Sequence, residues 1–345
     1  MKWPSQRGSS LAEVLVGLGV GLTVTIVVLE VFAATEAIKR NAVGLADAQQ
    51  AGAMSLFTLG VELANAGHGL AAAAGELSTC PDGGDIATSL RPIPVLITAG
   101  AAPDAPDAFV VNYGAGTALA TPAPFAAAAP AGSAYRVAAP TGFAAGDTVV
   151  AVGPGGRCAA TTALAVSAPD ADGVVEIDRA NAADAFPATA VLLDLGPKNR
   201  VARVRYDIVD GTLRSQDLAT PGATPNPLAS SIVAMKLQYG VDADGDGFVD
   251  SWAAATAAPW DPPSLLAAPA ATLARIKAVR LGLIAKSETF DAGVTAPFGW
   301  VLFDCPEQDK TQCAGRLSGT LPAHWRYRVY ETVVPLRNAI WNARP

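Results

Sequence analysis

Four carboxylates fall within nine residues in the stretch Asp242-Ala-Asp244-Gly-Asp246-Gly-Phe248-Val-Asp250. Alternate aspartates with glycine sixth match the opening of an EF-hand-type calcium loop. There, positions 1, 3 and 5 supply carboxylates, position 7 a backbone oxygen and position 9 a further oxygen. On that template Asp242, Asp244 and Asp246 are the first ligands, Phe248 gives its carbonyl, and Asp250 is ninth. An oxygen-only set suits calcium better than zinc, so calcium is the cofactor this spacing implies. The twelfth position is Ala253, so the bidentate glutamate of the template is missing and no helical pattern follows. The alternative is a solvated Asp-Gly turn.

Other chemistry is sparse. The chain has two histidines, His68 and His324, too few for histidine-based metal or acid–base clusters. No nucleophile elbow, P-loop or metalloprotease motif is present, and no catalytic residue is expected. The net charge of −7, with no basic run, argues against nucleic acid as a partner. The cysteines are Cys80, Cys158, Cys305 and Cys313, with no CxxC pair. Outside the cytoplasm they are expected in disulfides, although four buried thiols are the alternative. Of three possible pairings, Cys305–Cys313 closes a short loop and leaves Cys80–Cys158. The chain-entropy argument gives about 2.5 kcal/mol for the short loop and about 4.5 for the long one.

The element that organises the chain lies at its start. A leader, MKWPSQRG, carries Lys2 and Arg7, and an apolar run follows with Glu13 at its entrance, uncharged from Val14 to Leu29 and continuing past Glu30 to Ala34. About 20 such residues make roughly 30 Å of helix, enough to cross a bilayer. The two basic residues keep the N-terminus cytoplasmic and send the remainder outside. An ordinary secretory signal cut near Ala33–Ala34 is one reading. Glu13 argues against it, because a charge at membrane depth is costly unless paired.

No proline occurs between Ser5 and Thr79, so helix is expected to run on to Asn65 and stop at Ala66-Gly67-His68-Gly69. Ile38, Ala42, Leu45 and Ala46, then Met54, Leu56, Phe57, Leu59, Val61 and Leu63, are the expected packing face, with the glycines softening the helix. Residues 99–133 are rich in alanine, proline and glycine and read as irregular or polyproline-like loops. Short strands are expected at Phe109–Tyr113, Tyr135–Ala138, Thr148–Val152, Val174–Ile177 and Ala190–Leu195. Residues 200–217 read as a hairpin turning at Asp210-Gly211. Further strands are expected at Ile232–Tyr239, at Ile276–Lys286 with Val279, Leu281 and Leu283 on one face, and at Trp325–Val334 with Val329 and Val333 inward. A short helix is expected within Pro263–Arg275. One long helix followed by strands gives an α+β fold.

Arg7-Gly8, then Ser9-Ser10-Leu11-Ala12-Glu13 and an apolar run, resembles the class III signal of type IV prepilins. The resemblance implies cleavage between Gly8 and Ser9 by the prepilin peptidase and methylation of the new N-terminus. It also implies that Glu13 pairs with a neighbouring subunit's terminal amine during assembly. The usual first mature residue of the family is phenylalanine, and here it is Ser9. Residues 46–70, LQYGVDADGDGFVDSW at 237–252 and YETVVPLRNAIW at 330–341 resemble PilW-family minor pilins.

The implied architecture is a basic leader over 1–8, a long helix over 9–66 spanning the membrane in its first half, and a β-rich extracytoplasmic domain over 67–345 with Ala/Pro/Gly-rich insertions. The helix is expected to pack on an antiparallel sheet. The implied role is a minor pilin that primes or caps pilus assembly from the bacterial inner membrane. Its partners would be other minor and major pilins, the peptidase and a tip adhesin. A type II secretion pseudopilin uses the same signal. A membrane-anchored calcium-binding surface protein is the alternative of another kind.

Overall fold

In a computed structural model of the chain, the described residues are 10–68, 93–114, 122–138, 142–154, 157–197, 202–220, 222–305 and 315–340. Helix α1 (Leu11–Asn65) precedes β1 (Val95–Thr98) and β2 (Ala108–Tyr113). Then come β3 (Ala123–Pro124), β4 (Tyr135–Ala138), β5 (Asp147–Gly153), β6 (Arg157–Val166), β7 (Val174–Arg179) and β8 (Val191–Pro197). They lead to β9 (Ala202–Val209), β10 (Thr212–Asp217), β11 (Asn226–Ala229), β12 (Ile232–Val241) and β13 (Ser251–Ala253). Short helices α2 (Pro262–Leu266) and α3 (Ala270–Leu273) introduce β14 (Ile276–Lys286). The order ends with β15 (Phe298–Leu302), β16 (Leu317–Leu321), β17 (Tyr327–Pro335) and α4 (Arg337–Ile340). The fold is a long apolar helix followed by antiparallel β structure, as expected from the sequence.

α1 begins at an N-cap, Ser10, whose hydroxyl accepts a hydrogen bond from the Glu13 N–H at 3.3 Å. Glu13 in the first turn complements the positive end of the helix dipole. The helix ends at Ala66, and Gly67 turns the chain at φ 79°. That is the left-handed conformation glycine adopts without a Cβ penalty. Segment Leu11–Glu36 is apolar and long enough to span a bilayer, and residues 11–35 are exposed along their whole length.

Beyond it, the buried stripe is Gly44, Ala48, Gly52, Ser55, Leu59, Leu63 and Ala66, spaced three or four apart. Leu59 and Leu63 lie in it as expected, but the rest corrects the expected packing face. Ile38, Met54, Phe57 and Val61 point outward, and Ala42 and Ala46 are exposed. Small residues face the sheet because the backbones come close: a Cβ on Gly52 would stand 2.2 Å from the Tyr330 ring.

Two antiparallel sheets share one core beneath the helix, in the orders β1-β2-β9-β10-β11 and β13-β12-β14-β17. β14 is buried along nearly its whole length. Val279, Leu281 and Leu283 face the helix core, while Ile284 packs opposite, under Trp300, Leu302 and Phe303 of the β15–β16 hairpin. The inward residues of β17 are Tyr330 and Val334; Val333 is 56 % exposed and Val329 packs on the opposite face, which corrects that expectation. The β9–β10 turn is as expected, with Asp210 and Gly211 both at positive φ, 50° and 71°.

The remaining strands form a third sheet in the order β3-β8-β5-β6-β7-β4. Phe125, next to β3, bridges Val137 of β4, so the sheet closes into a six-stranded barrel. Strand and bridge positions at Ala123, Phe125 and Ala129 thus replace the irregular loop expected for the end of 99–133.

Candidate functional site

The acidic stretch forms the loop between β12 and β13, whose strands pair Tyr239 with Ala253 and Val241 with Ser251. Ala253 therefore lies in a strand ladder, and a hairpin takes the place of a helix-flanked loop.

Asp242, 1 % exposed, is the anchor. Its Oδ1 accepts from the Gly245 N–H at 2.6 Å and its Oδ2 from the Gly247 N–H at 3.0 Å. Both glycines hold positive φ, 86° and 93°, which turns their N–H groups inward. Lys277 Nζ lies 3.5 Å from Asp242 Oδ2, and Arg275 Nε donates to the Asp242 carbonyl at 3.0 Å. Burial alone would raise the Asp242 pKa. The two N–H donors and the Lys277 ammonium outweigh it and hold the carboxyl below the ordinary carboxylate value.

Asp250 closes the loop by accepting from the Ala243 N–H at 2.6 Å. Asp244 and Asp246 form local turns, accepting from the N–H groups of Asp246 and Phe248. The carboxylates of Asp242, Asp244 and Asp250 bring one oxygen each within 4.8 Å of one another. Oxygens sharing one calcium at about 2.4 Å stand no more than about 4.8 Å apart, so the triad fits a hard divalent cation. Asp246 does not join it, and Phe248 is 74 % exposed. Lys277 already supplies one positive charge, so the loop is pinned without an ion.

Gly8 and Ser9 lie outside the described residues, as do Cys80 and Cys313. Cys158, at the start of β6, and Cys305, after β15, are disulfide-bonded.

Sequence reasoning missed the clamp that fixes the helix. Glu62 Oε2 accepts from the Tyr113 hydroxyl of β2 at 2.8 Å. Burial first, and then the Glu62 carboxylate, raise the pKa of both Tyr113 and Tyr206 above the ordinary 10.0. Asn338, after β17, donates from Nδ2 to the Ala66 carbonyl at 3.2 Å and so ties the chain's end to the helix C-terminus. A lone acid in the apolar stretch LGVELAN was the available signal for the first of these.

Residues 202–338, from β9 into the first half of α4, match the family described as Type IV Pilus-assembly protein W, PilW. No curated relative matches the chain. Among solved structures, a type IV-like pilin, TTHA1219 from Thermus thermophilus, aligns at 13 % identity and a TM-score of 0.23. The alignment covers 57 % of this chain and 86 % of that one. The matched segment joins the acidic hairpin, the helix-packing strands and Asn338, and over residues 202–338 the chain is similar to the PilW family of type IV pilus-assembly proteins.

Proposed function

We propose that the protein is a minor type IV pilin that primes or caps pilus assembly. The observation that carries this reading is the division of α1. Its first part, residues 11–35, is exposed along its whole length, whereas its second half is clamped to the sheet. A helix half buried in its own domain and half bare presents an apolar handle, first to lipid and then to neighbouring helices. On this reading the prepilin peptidase cuts between Gly8 and Ser9. The globular part stands outside the inner membrane, and Glu13 neutralises the terminal amine of a neighbouring pilin.

Mass spectrometry of the native protein's N-terminus tests the processing step, with Ser9 expected first and a start after Ala33 or Ala34 fatal to the reading. Glu13→Ala should still insert in the membrane, because it removes a charge from an apolar segment. It should assemble poorly; normal piliation in that variant would remove Glu13 from the mechanism.

The loop supports a second, narrower proposal. Asp242, Asp244 and Asp250 would hold a divalent cation, calcium by oxygen chemistry, which would brace the β12–β13 hairpin outside the cytoplasm.

A further inference from the structure

The barrel is spliced into a hairpin of the body. β2 and β9 pair antiparallel, with Asn112 opposite Arg203 and Tyr113 opposite Ala202. The chain thus leaves the end of β2 and returns one strand spacing away, and β3 to β8 all lie between. Adjacent ends of this kind leave the host sheet unbroken.

The barrel has its own interior. Phe125, Tyr135 and Phe186 form a ring cluster at its centre, with centroids 5.1 to 6.2 Å apart. Leu192, Ile177 and Val149 complete the packing. Arg179 is buried there, donating to the Tyr135 hydroxyl at 2.8 Å and to the Ser133 and Asp184 carbonyls at 2.9 Å. The outer cluster of Val150, Val152, Leu193 and Leu195 likewise gathers barrel residues. Among the described residues, none of these belongs to the core beneath α1, and no body residue enters the barrel's clusters. Among the described residues, the backbone hydrogen bonds of β3 to β8 close within the barrel, while Cys158 and Asp194 also have other partners.

The junction lies at one pole. The Gly114 N–H donates to the His68 carbonyl, just past the end of α1, at 2.8 Å. A Cβ on Gly114 would stand 2.9 Å from the Leu195 carbonyl oxygen of β8. From Glu36, where the bilayer-length segment ends, to Asn65 is about 44 Å of helix. The splice is therefore at the end of the helix remote from the membrane segment.

We propose that residues 123–197 are a passenger module: a separate folding unit displayed at the membrane-distal pole, without which the assembling body is complete. The displayed role rests on the pilin reading; the separateness does not.

Hydrogen exchange on the full chain in detergent tests the separateness. Tyr135→Ala removes a buried ring and the partner of Arg179, so barrel amides should exchange at least about tenfold faster. Those of β12, β14 and β17 should stay within about twofold of the parent. Leu283→Ala, in the body core, should give the reverse pattern. Faster exchange of both units in either variant overturns the proposal.

The display role is tested in the native host by joining Gly114 to Ala202 through a short glycine linker. Filaments should still form. Their loss, in a variant whose body remains protected from exchange, overturns the passenger role. A mature start other than Ser9 would instead strike the pilin reading and leave the exchange result standing.

Discussion

The Tyr113 hydroxyl donates to Glu62 Oε2 at 2.8 Å, so a strand of the first sheet holds the helix that the second sheet supports. Tyr206, on the neighbouring strand β9, faces the same carboxylate. Phe109 stacks on the Tyr206 ring at 5.1 Å, which ties the clamp into the common core.

Glu62→Ala leaves two partly buried hydroxyls without their acceptor and should lower stability by about 1–3 kcal/mol, read by denaturant titration. The clamp also sets an alkaline limit. Tyrosines with raised pKa stay protonated in the fold when the unfolded chain ionises. Their contribution is full below pH 10, the ordinary tyrosine value, and is lost as pH rises above it. In Glu62→Ala the hydroxyls lose the contribution of the carboxylate, so their tyrosinate absorbance should appear at lower pH than in the parent. An unchanged titration would separate Glu62 from both tyrosines.

Two glycines of α1 should respond in opposite directions to the same substitution. Gly52→Ala drives a methyl into the Tyr330 ring and threatens the hydrogen bond from the Tyr330 hydroxyl to the Gln49 carbonyl at 3.1 Å. It should cost about 1–3 kcal/mol. Gly60→Ala meets nothing within 4 Å and should stabilise the helix by about 0.5–1 kcal/mol. Thermal melting of the two variants checks the pair; equal shifts would mean that the helix does not sit as closely on β17 as described.

That contrast also explains what the sequence could and could not show. The extent of α1, the Asp210-Gly211 turn and strand β14 were legible because local rules govern them: the absence of proline, an Asp-Gly pair suited to positive φ, and apolar alternation. The packing face of α1 was not, because close backbone approach selects small residues. Gly44, Ala48, Gly52 and Ser55 carry no hydrophobic signal, while the bulky Met54 and Phe57 look outward. Strands β4, β5, β7 and β8 were legible, but β3 and the closure of the barrel were hidden for a related reason. Alanine at Ala123, Ala129, Ala151, Ala163 and Ala190 fills its narrow interior around three rings, and alanine runs between prolines read as loop. In the acidic hairpin the spacing identified the turn, but Asp246 has the same spacing as its neighbours and still lies outside the triad. The contribution of Lys277 and Arg275, from a distant strand, could not be read locally at all.

The thiol pairing is open to a direct measurement. Non-reducing peptide mapping should recover Cys305 joined to Cys313 and Cys80 joined to Cys158. A peptide linking Cys158 to Cys305 or Cys313 would refute both assignments. Reduction should destabilise the barrel, where Cys158 begins β6, separately from the β15–β16 region, where Cys305 lies.

The acidic hairpin should respond to acid and to calcium through different residues. Asp242 has a carboxyl held below its ordinary value of 3.8 and is braced by Gly245, Gly247 and Lys277. A depressed carboxyl contributes stability that is present above the unfolded pKa and is lost as pH falls through the folded one. Asp242→Asn should therefore destabilise the protein at neutral pH with or without calcium, and should flatten its loss of stability below about pH 4. Asp244 and Asp250 are exposed, and a cation between them and Asp242 would relieve the repulsion of three carboxylates. Without the bidentate twelfth ligand, Kd should be on the order of 10⁻⁴ M or weaker. At 1 mM calcium that affinity raises stability by about 1.4 kcal/mol if the unfolded chain binds none. Asp244→Asn with Asp250→Asn should abolish the difference in melting between calcium and chelator while keeping the Ala243 N–H satisfied. Lys277→Gln should do the opposite and tighten calcium binding, because it removes the cation already resting on Asp242 Oδ2. If parent and Lys277→Gln proteins melt identically in millimolar calcium and in chelator, the hairpin is held by its own N–H groups and by Lys277, and calcium has no part in it.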